Sequence, residues 1–168
     1  MKTYIFKHSL LGVILGLSIL GCTEGDKFDY NKNMAFITGT ETTPVTKFVV
    51  EDTPSSYAVT ASTTDKVDKD VNVKFAIDRS LVETYNNEHN TKYYAIPEGA
   101  VTLEDADAVI QAGKAFSTPA TVKVISTEDF AEGRVYVVPV TMVEVDGLEI
   151  LKPVSYTHLR AHETRSNL

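Results

Sequence analysis

VNVKFAID, residues 71–78, and RVYVVPVTMVEV, residues 134–145, decide how this chain is read. In the first, Val71, Val73, Phe75 and Ile77 fall on one side of an extended backbone and Asn72, Lys74 and Asp78 on the other, because successive strand side chains point to opposite faces. Such a strand has one face in a core and one in solvent. The second stretch is apolar on both sides for most of its length, which predicts a central strand covered on both faces. Pro139 interrupts it. Having no N–H to give a ladder, it predicts a bulge or a switch between sheets.

Working outward, MAFI (34–37), KFVV (47–50, bounded by Pro44 and Pro54), the weaker alternation of Tyr57 to Thr63, AVTL (100–103), AVIQAG (108–113) and ATVKVIS (120–126) all read as strands. Gly113, Pro119 and Gly133 mark turns between them. Asp146-Gly147 is a two-residue hairpin signal, so Leu148 to Leu151 begins a returning strand that Pro153 cuts short. Between the strands, Ser80 and Glu83 are spaced as a capping box. They predict one short helix with Leu81, Val82 and Tyr85 along its apolar stripe and Asn86, Asn87 and Asn90 at its end. Many short strands with regular turn signals predict an all-β antiparallel β-sandwich over residues 34–153, with one short helix and an incomplete last strand.

The two ends of the chain read differently. Lys2 and Lys7 precede the apolar run SLLGVILGLSIL (9–20), which has the length of a signal-peptide core and is short for a membrane span. Ile19-Leu20-Gly21-Cys22 resembles a bacterial lipobox, although Leu20 departs from the small residue usual at that position. Residues 1–21 are therefore expected to be a lipoprotein signal peptide and Cys22 the lipidated residue that attaches the chain to a membrane. Thr23-Glu24-Gly25-Asp26 resembles the acidic stretch that directs Bacteroidota lipoproteins to the exterior face of the outer membrane. Residues 22–33 are expected to form a flexible tether. Cys22 is the only cysteine, so no internal disulfide exists. At the other end, VSYTHLRAHET (154–164) has no apolar periodicity. It matches the translation of a string resembling a transposase-type sequencing adapter, so 154–168 are expected to be a non-native tail.

Charge and residue inventory then narrow the function. The formal net charge is -7. Without the signal peptide and the tail from Ser155, 12 basic and 22 acidic residues remain, a balance of -10. Nucleic-acid binding needs clustered Lys and Arg, so it is set aside. No catalytic residues are expected. His89 is the only histidine of the central domain, sits among Asn86, Asn87, Glu88 and Asn90, and reads as a solvated residue at a helix end. Acidic residues are plentiful, but no DxxDxDxE-type motif pairs them for glycoside hydrolysis. Glu104-Asp105-Ala106-Asp107 lacks the Gly and later Glu of a calcium loop and reads as a solvated turn. His158 and His162 have a helical metal-ligand spacing, but both lie in the suspected adapter, so neither a metal nor another cofactor is expected. Exposed aromatics near loops are the remaining chemistry: Tyr93, Tyr94 and Phe116 are candidate glycan contacts, since a ring offers a sugar an apolar face. Strand alternation should turn one of Tyr93 and Tyr94 outward. Tyr85 is expected to pack against the core.

The blocks VKFAIDRSLVETYN, Thr91-Lys92-Tyr93, Ile96-Pro97, Ala112-Gly113-Lys114 and Gly133 to Val140, taken in order, resemble a Bacteroidota family, domain of unknown function 1735. The resemblance runs from about Val71 to Ile150. It implies an immunoglobulin-like sandwich at the N-terminus of surface lipoproteins, preceding a family 18 glycoside hydrolase or a lectin-like module in glycan-use systems. The expected function is a non-catalytic module acting as a spacer or a weak carbohydrate-binding domain. The alternatives are the leading domain of a family 18 endo-glycosidase and an adhesin or fimbria-like protein.

Overall fold

The computed structural model describes residues 32–50 and 53–151, and the backbone of 156–163. The signal peptide, Cys22 and the acidic stretch after it lie outside the described residues. The strands are β1 (Met34–Ile37), β2 (Val45–Val50), β3 (Ser55–Val59), β4 (Ala61–Thr63), β5 (Val71–Ile77), β6 (Tyr93–Ala95), β7 (Val101–Glu104), β8 (Asp107–Ile110), β9 (Ala120–Val124), β10 (Val135–Val145), β11 (Glu149–Ile150) and β12 (Tyr156–Glu163), all but β6 and β12 overlapping stretches that the sequence pattern marks. Helix α1 (Leu81–His89) follows β5, and a 3-10 turn at Glu98–Ala100 precedes β7.

The molecule is an all-β sandwich with one short helix. A six-stranded sheet runs β2-β12-β10-β5-β8 with β6 also beside β10, and two three-stranded sheets, β11-β1-β4 and β3-β9-β7, complete the architecture. Thr60 is where one extended segment changes partner: β3 pairs with β9, while β4 pairs with β1. Most pairings are antiparallel. The parallel ones, β1 with β11, β6 with β10 and β2 with β12, each join segments far apart in sequence, as a parallel pair must.

One core unites the sheets. Val71, Val73 and Phe75 are buried while Asn72 and Lys74 face solvent, as the alternation requires. They meet Val122 and Val124 of β9, Ala35 and Ile37 of β1, and Val138 and Val140 of β10 in a single apolar cluster. β10 is buried from Tyr136 to Val140 and flanked on both sides, the central strand expected from its two apolar faces.

Pro139 is accommodated by a change of neighbour within one sheet. The carbonyls of Val137 and Pro139 accept hydrogen bonds from the N–H groups of Ile96 (3.0 Å) and Asp78 (2.9 Å), so both residues turn their main-chain polar atoms to the side that β6 and β5 share. Residues 135–137 pair with β6 and residues 140–145 with β5, which puts the missing N–H at the junction. The register shift comes later, between Met142 and Glu144.

Three local expectations change. Ser80 takes helical angles (φ -65, ψ -25) and makes no side-chain cap. Asp78 organises the helix start instead, its Oδ1 accepting from Ser80 N–H (3.0 Å) and Ser80 Oγ (2.6 Å). Asp146-Gly147 does form a turn, with Gly147 at φ 69, but the chain then leaves β10 and β11 pairs in parallel with β1. The half-buried side chains of Leu148 and Ile150 pack against the core on that path, which a return along β10 would not provide. Finally, 156–163 is extended despite its lack of apolar alternation, lying between β10 and β2. Ladder hydrogen bonds come from the main chain, so a position with a strand on either side does not demand a patterned sequence.

Candidate functional site

Of the aromatic residues singled out in the sequence, Tyr93, Tyr94 and Tyr85 lie at one end of the sandwich, where β10 begins. α1 and β6 are locked together there by one side chain. Asn86 Oδ1 accepts from Tyr93 N–H (2.9 Å) and Thr91 Oγ1 (2.7 Å), and its Nδ2 donates to the Tyr93 carbonyl (2.9 Å). The amide thus serves both main-chain groups of Tyr93, as a neighbouring strand would. Asn90 ends the helix in the left-handed region at φ 52, its N–H returning to the Asn86 carbonyl. On the other flank, Arg79 Nε donates to the Ile96 carbonyl (3.1 Å), and its guanidinium lies 3.7 Å from Glu98.

With β6 held this way, strand alternation separates its two tyrosines. Tyr93 is half-buried and stacks on Tyr85, centroids 6.0 Å apart and planes 13° apart, while Tyr85 also meets the exposed His89 at 4.2 Å. Tyr85 is half-buried in this stack rather than in the core. Tyr94 turns outward, 42% exposed. Arg134 lies over its ring at 4.5 Å and Tyr136 is 6.1 Å away. Tyr136 itself is buried, stacks on Phe130 at 4.3 Å, and its hydroxyl oxygen accepts the Ala131 N–H at 3.0 Å. These contacts shape the loop from β9 to β10, with Gly133 at φ 75 supplying its final bend. Arg134 makes no ion pair among the described residues, although Glu128, Asp129 and Glu132 share its loop. A cation lying on an exposed ring gains only about 0.5–1 kcal/mol, so the guanidinium is lightly held.

Phe116 belongs to the opposite end. It bridges to Ser62, and its neighbour Ser117 bridges to Ile110. Ile110 pairs with Val71, and Val73 with Val145, so this segment stands where β10 finishes. From Tyr136 to Glu144, eight residues of strand cover about 26 Å. Phe116 is 63% exposed and joins no ring contact among the described residues, so the structure unites Tyr93 with Tyr94 but not with Phe116.

At that far end a shallow groove of about 330 Å³ crosses β8, β5 and β10, lined by Asn72, Lys74, Asp107, Val109, Glu144 and Asp146 among others. Asn72 Nδ2 donates to Asp146 Oδ2 at 2.7 Å. Glu104 and Asp107 flank the β7–β8 turn, in which Asp105 has φ 53. Among the described residues, no three His, Cys, Asp or Glu side chains gather to hold a metal, and no helix is long and apolar enough to cross a membrane. Sequence reasoning missed Phe130, Arg134 and Tyr136 as parts of the aromatic end. Their one signal was position, two aromatics and an arginine bracketing the Gly133 turn.

Comparison with known proteins places this geometry. No curated protein matches the chain in sequence. Among solved structures, a Bacteroides ovatus protein named a "putative carbohydrate binding protein" superposes with a TM-score of 0.68 at 18% identity, over 76% of this chain and 36% of that one. EndoBT-3987 of Bacteroides thetaiotamicron, solved with a Man5GlcNAc product, gives 0.58 at 22% identity, over 71% and 29%. A Bacteroides ovatus multidomain protein including DUF1735 gives 0.56 at 15%, over 73% and 42%. At these identities the likeness is one of fold, and the chain spans less than half the length of each. A family profile described as a "-like, N-terminal domain" matches residues 30–149, most of the chain. The chain therefore belongs to that N-terminal domain family, and it shares its fold with the Bacteroides protein that includes DUF1735.

Proposed function

We propose that this chain is a non-catalytic module of a cell-surface lipoprotein, anchored through lipid on Cys22 at the outer face of the outer membrane. It spaces a glycan-active region from the membrane and binds carbohydrate weakly on its own account. The observation that carries the carbohydrate reading is Tyr94, a ring turned outward at a loop-bearing end of a rigid sandwich and backed by the Phe130–Tyr136 stack. Such a ring offers a pyranose an apolar face, and the polar side chains around it suit hydroxyls. The carbohydrate-binding description of the Bacteroides ovatus protein, which shares the fold, supports the same reading.

The test is a glycan array probed with the full chain and with Tyr93→Ala, Tyr94→Ala and Phe116→Ala singly. Loss of signal with Tyr94→Ala is expected, with little change for Phe116→Ala. Absence of binding to every glycan would leave only the spacer role. Incorporation of a labelled fatty acid, abolished by Cys22→Ser, tests the anchor. A second reading is favoured by the likeness to EndoBT-3987: the parent chain is an endo-glycosidase of family 18 and this is its leading domain. Recovering the locus from intact genomic DNA decides it, since a downstream barrel with the DxxDxDxE motif is required.

A further inference from the structure

Resting on the carbohydrate reading, we infer that the loop from β9 to β10 selects neutral, hydroxyl-rich glycans over anionic ones, with Arg134 as its specificity-determining donor. Four exposed charged groups stand on this loop: Glu128, Asp129, Glu132 and Arg134. None is in an ion pair among the described residues. The arginine rests on the Tyr94 ring, leaving its N–H donors open at the edge of the exposed aromatic. One cation against three carboxylates gives the loop a negative potential, which opposes a uronate or a sulfate ester even where Arg134 attracts it.

A neutral sugar meets no such opposition. Each hydroxyl is both donor and acceptor, so it can accept from the guanidinium and donate to a carboxylate, while the apolar face of the pyranose displaces the lightly held guanidinium from the face of the ring. The fixed elements lie beneath: Tyr136 is buried, and its hydroxyl ties down Ala131 within this loop. The loop is therefore anchored, and its donor meets the ring without a large ordering cost.

Titration calorimetry of the full chain with a neutral manno-oligosaccharide and an oligogalacturonate of equal length tests this, at low and high salt. The neutral ligand is expected to bind more tightly, with an affinity that salt leaves unchanged, because no net charge is neutralised. Arg134→Met, which keeps an unbranched side chain and removes the donors, should weaken that binding by roughly tenfold. Tyr94→Phe should leave it intact and Tyr94→Ala should remove it, with far-UV circular dichroism confirming that each variant is folded. Tighter, salt-sensitive binding of the galacturonate overturns the inference and leaves the carbohydrate reading standing. So does neutral binding indifferent to both residues. Failure of both sugars to bind overturns both.

Discussion

The two ends of β10 carry exposed surfaces built on opposite principles. Where the strand begins, rings gather: Tyr94 lies beside the buried Tyr136 at 6.1 Å, and Tyr136 stacks on Phe130 at 4.3 Å. Where it finishes, a flat polar groove lies across three strands, with Lys74 paired in register with Asp107 on one side and Glu144 on the other. The first surface is anchored in the core, so altering its base should disturb the whole domain. The second rests on the solvent face of a sheet whose ladders persist without it. At the aromatic end the ring that meets solvent lies beside one that holds the fold.

Tyr136→Ala should have the largest effect, costing about 3–5 kcal/mol in a urea unfolding titration, as for other large-to-Ala core changes. A loss below about 1 kcal/mol would show that the aromatic base is not anchored. Asn86→Ala should cost about 1–3 kcal/mol, since it leaves both main-chain groups of Tyr93 without their partner. Faster amide hydrogen exchange at Tyr93, with no change in β9, would localise that effect. Asp78→Ala should cost about 0.5–2 kcal/mol, the range of a lost helix cap, and Ser80→Ala distinctly less. The reverse order, read from thermal melts, would restore the capping box in solution. At the groove end, Asn72→Ala should cost about 0.5–1 kcal/mol, because both partners return to water. A larger loss would mean that the groove also holds the sheet together.

Much of the fold was legible before any coordinates. β5 and β10 lie where their side-chain patterns put them, because a period of two is imposed by the pleat and burial of one face follows from it. α1 was found from its apolar stripe and flanking polar residues, although the cap turned out to be Asp78, a choice set by backbone angles at Ser80 that no spacing rule encodes. β6 is three residues long and gave no periodic signal. It exists because β10 offers an open main-chain edge beside Val135 to Val137 and Asn86 holds Tyr93 from the other side. The candidate site was half visible. Alternation alone placed Tyr93 and Tyr94 on opposite faces, while the partnership of Tyr94 with Arg134 and Tyr136 joins residues some forty positions apart.

From its residues alone this chain announced strands, one helix and a resemblance to a Bacteroidota domain family, because each rests on local patterns with local causes. Which strands became neighbours, which rings met, and that Phe116 stands at the far end from Tyr94 were decided only when the sheets closed on their core. Those relations depend on contacts between distant segments, and burying a shared apolar interior selects among them in a way that no short stretch of sequence contains.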